Sequence, residues 1–232
     1  MKPLVLTKEN VLATMEGRKT MTRRIIKPLK LHEDYGEPNM DKAWIDHSYD
    51  RLGSCCLKVP YGTVDKTTWR HWPKHNVGDE VYVAEGYQIT RRLSDHHRAN
   101  LYEVKYMTDN QIVPIQLTLT EAVKLRNRKY PYRPTSGRFF YKSLARTFGK
   151  ITEVKAERIK EISPEDAIDE GILVRNSGTE QFPQFEYCGF DDFWTTNPVE
   201  AFLREWVCIH SQESLERNDP VFAYRWDLIN AN

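Results

Sequence analysis

A change of period near residue 163 constrains the fold of this chain more than any other feature. Residues 150–162 read as a strand, with Ile151, Val154, Ala156, Ile159 and Ile162 as its apolar positions. Ser163-Pro164-Glu165-Asp166 then starts a helix, with Ser as the cap and Pro in the first turn, and Gly171 ends it. Strand patterns also cover residues 20–26, 80–89, 100–107, 111–119 and 220–229, with turns at Val77-Gly78-Asp79 and Thr108-Asp109-Asn110. Two more helices are expected. The first is capped by Thr7, carries Val11, Leu12 and Met15 on its apolar face and stops at Gly17; Asn10 stands where a capping box wants Glu or Gln. The second covers 198–209, with Ala201, Phe202, Trp206 and Ile209 on one face. Residues 139–148 suit strand or helix, after a Pro-rich connector at 130–137. The sum is an α+β chain, best met by a compact β-barrel or strongly bent sheet with peripheral helices.

Two stretches interrupt that pattern. Residues 28–78 hold Pro28, Pro38, Pro60 and Pro73 with scattered Trp and Tyr, and read as a long irregular insertion with room for one hairpin. Its length makes it a candidate lid or binding loop. Residues 174–197 are polar and aromatic and read as a second loop. At 232 residues, 40% hydrophobic, the chain suits a single domain carrying both insertions. Its formal net charge of +1 gives no bulk reason to bind nucleic acid, so such binding has to come from local clustering. Mean hydropathy is −0.66, and neither a signal-peptide core nor a membrane-spanning run is present, so a cytoplasmic protein is expected. Cys55, Cys56, Cys188 and Cys208 form no CxxC pair and match no zinc spacing, and His71, His75, His96 and His97 read as loop or surface residues. No metal and no cofactor is expected.

The segment Gly17-Arg18-Lys19-Thr20-Met21-Thr22-Arg23-Arg24 holds four cations among eight residues. Its plain reading is a basic strand edge, since Lys and Arg protect exposed edges. Its sharper reading places Lys19, a threonine and one or two of the arginines around one polar or anionic ligand. Glu170 invites that reading, because a carboxylate at a helix C-terminus opposes the helix dipole unless it meets a cation or a substrate. Glu85, if it shares a face with Val81 and Val83, is a buried acid that needs a cation. Arg138, Lys142 and Arg146 interleave with Phe139, Phe140 and Tyr141, a mixture suited to phosphate contact and base stacking, or to one polar face of a sheet.

These segments resemble ASCH-domain proteins of the larger type often encoded in bacteriophages and prophages. The matching order is an N-terminal helix, GRKTMTRR, VGDEVYVAEGY, the long run from GRFFYKSLARTFGK to ISPEDAIDEGI, and the aromatic strand VFAYRWDLI. Together they span most of the chain. The resemblance implies a PUA-like fold, a small β-barrel with flanking helices and a basic cleft beside it. It implies RNA or a modified nucleoside as partner, with a host protein as another partner if the chain is a phage accessory protein. Small members of the superfamily hydrolyse N4-acetylcytidine to cytidine and acetate. Their catalytic lysine, threonine and glutamate correspond to Lys19, Thr22 and Glu170. In that chemistry Thr22 is the nucleophile or positions water, Lys19 is the base, and Glu170 holds Lys19 or protonates the leaving amine. The remaining binding set is Arg18, Arg23, Arg24, Glu85, Tyr87, Arg138, Lys142 and Arg146.

Overall fold

The computed structural model describes residues 1–27, 38–40, 42–46, 55–61, 67–93 and 100–229. The strands are β1 (Lys2–Val5), β2 (Met21–Ile25), β3 (Trp44–Asp46), β4 (Cys56–Tyr61), β5 (Thr67–His71), β6 (Glu80–Ala84) and β7 (Tyr87–Arg92). They continue as β8 (Leu101–Tyr106), β9 (Ile112–Gln116), β10 (Phe148–Arg158), β11 (Leu173–Asn176), β12 (Phe185–Cys188), β13 (Trp194–Thr195) and β14 (Pro220–Ile229). The helices are α1 (Lys8–Met15), α2 (Leu119–Arg126), α3 (Pro164–Asp169), α4 (Pro198–His210) and α5 (Gln212–Glu216). The chain is therefore mixed α and β, with strands in several sheets and no closed barrel among the described residues. No helix of the described residues is long and apolar enough to cross a membrane. Two compact units divide the chain: Met1–Gly17, Glu80–Lys150 and Leu228–Asn232 form one, Arg18–Asp79 and Ile151–Asp227 the other.

In the first unit β1 runs parallel to β6, and β6 pairs antiparallel with the first residues of β10. Thr7 caps α1, accepting from the Asn10 amide at 3.3 Å. The helix buries Asn10, Val11, Ala13 and Thr14, while Met15, expected on its apolar face, is exposed. The strand expected over 80–89 is two strands, β6 and β7, broken at Glu85-Gly86. Gly137 packs on that break: a Cβ there would come within 2.8 Å of the Ala84 carbonyl oxygen, so only glycine fits. β7, β8 and β9 form an antiparallel meander, as alternation predicts. Helix α2 was not anticipated, although Thr118 and Glu121 form a capping box that announces it. Residues 139–147 are neither strand nor α-helix, and Phe148 opens β10; 3₁₀ turns at Gly137–Phe139 and Lys142–Leu144 let Phe140, Tyr141 and Leu144 reach a tyrosine-rich core.

In the second unit β14 lies between β10 and β2 and pairs antiparallel with β2, placing Tyr224 opposite Thr22 and Ala223 opposite Arg23. Its core joins Ile159, Ile162, Ala167, Phe202, Trp206 and Val221. On α4, Ala201, Phe202 and Trp206 face inward as expected, but Ile209 is exposed. The described part of the 28–78 stretch is more regular than its composition suggests: β3, β4 and β5 form an antiparallel sheet. The rest of that stretch lies outside the described residues. The supposed loop at 174–197 contains the antiparallel strands β11, β12 and β13. Alternation did not reveal them because Leu173, Val174 and Phe185 are all exposed. The β11–β12 register is marked instead by the ion pair of opposed Arg175 and Glu186.

Leu144 is fully buried and Phe139 is 64% exposed. Leu144→Ala should therefore cost about 2–5 kcal/mol in urea unfolding, whereas Phe139→Ala should stay within about 0.5 kcal/mol of wild type.

Candidate functional site

The basic segment begins by capping α3. Arg18 donates to the Gly171 carbonyl at 2.6 Å, Lys19 to the Glu170 carbonyl at 2.6 Å, and the Thr20 amide to the Asp169 carbonyl at 2.9 Å. Three successive residues thus satisfy three carbonyls at a helix end that has no intrahelical donors left. Two of them bring positive charge to the negative end of the helix dipole. Gly171 turns the chain there with φ +96°. Ser163 fixes the other end, accepting from the Asp166 amide at 3.1 Å.

The side chains continue the same contact. Lys19 Nζ reaches Glu170 Oε2 at 2.6 Å, with the two side chains 1% and 4% exposed. The other oxygen, Oε1, accepts from Arg23 at 3.1 Å. Arg23 also donates to Glu157 at 2.6 Å and Asp166 at 2.8 Å. Burial works against the Arg23 charge, but Glu170, Glu157 and Asp166 outweigh it and hold its pKa above the ordinary arginine value. Burial pushes the Glu157 carboxyl up, with Arg23 opposing. Arg225 extends the network to Asp166, Asp169 and Glu153, and Lys155 adds contacts to Glu153 and Asp166. Asp166 and Glu170 are four apart on α3 and share one face, which explains how one guanidinium can bond both.

A second group gathers near Arg24. Burial lowers the Arg24 pKa, and Glu170 and Tyr224 only partly offset it. Burial also lowers His210, with Arg24 adding to the effect. The His210 ring lies 4.1 Å from that of Trp206. The Tyr224 hydroxyl accepts from the Lys74 amide at 3.0 Å; burial still pushes it up to about 12, with that amide and the His75 amide opposing. Thr22, opposite Tyr224, is 5% exposed and makes no side-chain hydrogen bond to a described residue.

Of the expected site residues, the second unit therefore brings Lys19, Glu170 and Arg23 into direct contact. It sets Arg18 at the helix end, and no hydrogen bond joins Thr22 to Lys19 or Glu170. The sequence reasoning missed Asp166, Glu157, Arg225, Tyr224 and His210. The spacing of Asp166 and Glu170 was the signal for the first of these; the others depend on strand neighbours that no local pattern reveals.

The first unit holds the other expected residues in different circumstances. Glu85 is 2% exposed and takes a two-pronged contact from Arg146, at 2.8 and 2.7 Å. The cation that a buried Glu85 requires is thus Arg146, which also bonds Asp109 and Gln111 and lies 3.9 Å from the Tyr106 ring centre. Arg146 is a structural partner, not a free phosphate contact. Tyr87 is fully buried, and its hydroxyl donates to the Phe139 carbonyl, so it presents nothing to a ligand. Arg138 and Lys142 are exposed.

Among the described residues no group of three or more His, Cys, Asp and Glu is placed to hold a metal ion; His96 and His97 lie outside them. Comparison with family models, curated proteins and solved structures found no match.

Replacing Arg23 by Met would leave buried carboxylates without their shared partner, so Arg23→Met should lose about 3–5 kcal/mol in urea unfolding. Buried His71 and half-buried His210 set a pH dependence. Burial holds His71 and His210 below the ordinary 6.5, so the fold favours their neutral forms. Their stabilisation is full above that value and is lost as pH falls through the lower folded values. The melting temperature should fall between pH 7.5 and 5.5, and His71→Gln should shrink the fall, as read by thermal scans at each pH.

Proposed function

We propose that this chain is an ASCH-domain protein of PUA-like fold, and that the polar cluster of its second unit recognises a nucleobase or modified nucleoside. One observation carries the reading. The two motifs that are specific as a pair, GRKTMTRR and ISPEDAIDEGI, dock on one another, with Lys19 Nζ 2.6 Å from Glu170. Residues 151 positions apart have been brought into one buried contact. A carboxylate accepts from an exocyclic amine, and lysine or arginine donors suit a ring carbonyl or ring nitrogen, so Glu170, Lys19 and Arg24 match the polar edge of a cytosine-like base. Tyr224 and His210, which act on the Arg24 charge or feel it, and Trp206 beside His210 would supply the apolar walls that a flat ring needs.

Amide hydrolysis is the second reading, and Thr22 favours it, because the residue is 5% exposed and its hydroxyl is engaged by no described side chain or carbonyl. Water would add to the acyl carbon of an N4-acylated cytidine, the C–N bond would break, and the amine would take a proton to give cytidine and a carboxylic acid. Lys19 donates to Glu170 twice, which suits it to hold a carbonyl or a developing oxyanion better than to accept a proton. Thr22 would orient the water, and Glu170 would take the proton that the water loses and pass it to the leaving amine.

Calorimetric titration with cytidine and N4-acetylcytidine, and chromatography for cytidine release, test both readings. Wild type should bind the nucleoside, and Glu170→Gln should weaken binding by about tenfold or more, as loss of a charged hydrogen bond does. Turnover, if present, should vanish in a folded Lys19→Ala variant; turnover retained there would sink the hydrolase. Absence of binding to either nucleoside would remove the recognition reading as well.

A further inference from the structure

The first unit carries a second feature that the nucleoside site does not use. Between residues 122 and 150 the chain has nine lysines and arginines and no carboxylate, although the whole chain is balanced at +1. Most arginines elsewhere in the structure find acids. In this stretch Arg146 does so, and Arg128 is consumed by the Tyr87 hydroxyl and the Phe139 carbonyl. Lys124, Arg126, Lys129, Arg133, Arg138 and Lys142 are all exposed, and none makes an ion pair with a described residue. Exposed rings lie among them: Tyr130 is 51%, Tyr132 49% and Phe139 64% exposed.

The local structure fastens these pieces together. Arg133 lies 4.1 Å from the Tyr130 ring centre and Lys129 5.3 Å from it, forming one cation–aromatic cluster. The Tyr132 carbonyl is held by Gln88 at 3.0 Å. Arg128 ties the end of α2 to Phe139, and Glu121, near the start of α2, accepts from Ser143 at 2.5 Å, beside Lys142. Six unpaired like charges repel one another, and aromatic rings in water give up burial. A surface that keeps both is explained by an anionic partner with flat apolar faces.

We propose that this surface of the first unit binds single-stranded nucleic acid, holding its phosphates with the unpaired cations and stacking its bases on Tyr130, Tyr132 and Phe139. A duplex hides its base faces and offers the rings nothing, so the rings decide for single strands. The surface is independent of Lys19, Thr22 and Glu170.

Fluorescence anisotropy with the full chain tests it, using short labelled single-stranded RNA, the matching DNA, a duplex and anionic lipid vesicles. Binding should weaken with salt, with a slope of log affinity on log salt no steeper than about −4 for six cations on a single strand. Lys129→Glu with Arg133→Glu should weaken binding about tenfold or more. Tyr130→Ala and Phe139→Ala should each weaken it roughly fivefold or more without altering the melting temperature. RNA bound better than DNA, or both alike, supports the proposal and identifies the polymer. Absence of binding, affinity undiminished in both the charge-reversed and the ring variants, equal affinity for duplex, or preference for vesicles each overturns it. Nucleoside binding in these variants stays at the wild-type level, so failure here and failure of the nucleoside site are read separately.

Discussion

The docking of Arg18, Lys19 and Thr20 onto the last carbonyls of α3 is the contact on which the second unit depends. A helix of six residues gains little from its own hydrogen bonds, since most of its terminal groups have no partner within it. Ser163 serves one end and the basic segment serves the other. With the helix end fixed, Glu170 must lie against Lys19 and Arg23, and the same docking places β2 beside β14. One capping contact therefore positions both the helix and the start of the strand that carries Thr22 and Arg24.

The charges that follow from this docking are costly to bury and are kept because they are mutually satisfied. Arg23 has three carboxylate partners, and Asp166 is shared by Arg23, Arg225 and Lys155. Such a network stabilises less than an apolar layer of equal volume, but losing one member strands the others. Its value lies in precision: both oxygens of Glu170 are held by cations, so its carboxylate has one place to be. That fixed placement is what a recognition site for a small polar ligand requires. The first unit repeats the principle with Glu85 and Arg146, where the result is a sealed structural pair.

The contrast between the units is one of accounting for charge. In the second, arginines near β2 and β14 are matched by acids from α3 and β10. In the first, the stretch after Glu121 contains no acid of its own, and apart from Arg146 its exposed cations make no ion pair with a described residue. The same residue types therefore stand in opposite settings: paired scaffolding in one place and exposed, unpaired cations in the other.

By itself the sequence determined the local elements whose signals are local. The Thr7 and Ser163 caps, the strands over 20–26, 100–107 and 220–229, and the β8–β9 hairpin needed only neighbouring residues. It also marked Glu170 as an acid that needs a cation or a substrate, through the helix dipole, and Glu85 as one that needs a cation if it shares a face with Val81 and Val83, a register the sequence leaves open. Tertiary structure alone decided which cations answered. Lys19 and Arg146 lie 151 and 61 positions from their partners, and nothing in the intervening residues specifies that distance in space. Tertiary structure likewise decided that Tyr87 is core, that the 174–197 stretch is a small sheet, and that Arg146 is paired while Arg138 and Lys142 are not. A side chain's availability depends on what packs against it, and that is settled only when distant segments meet.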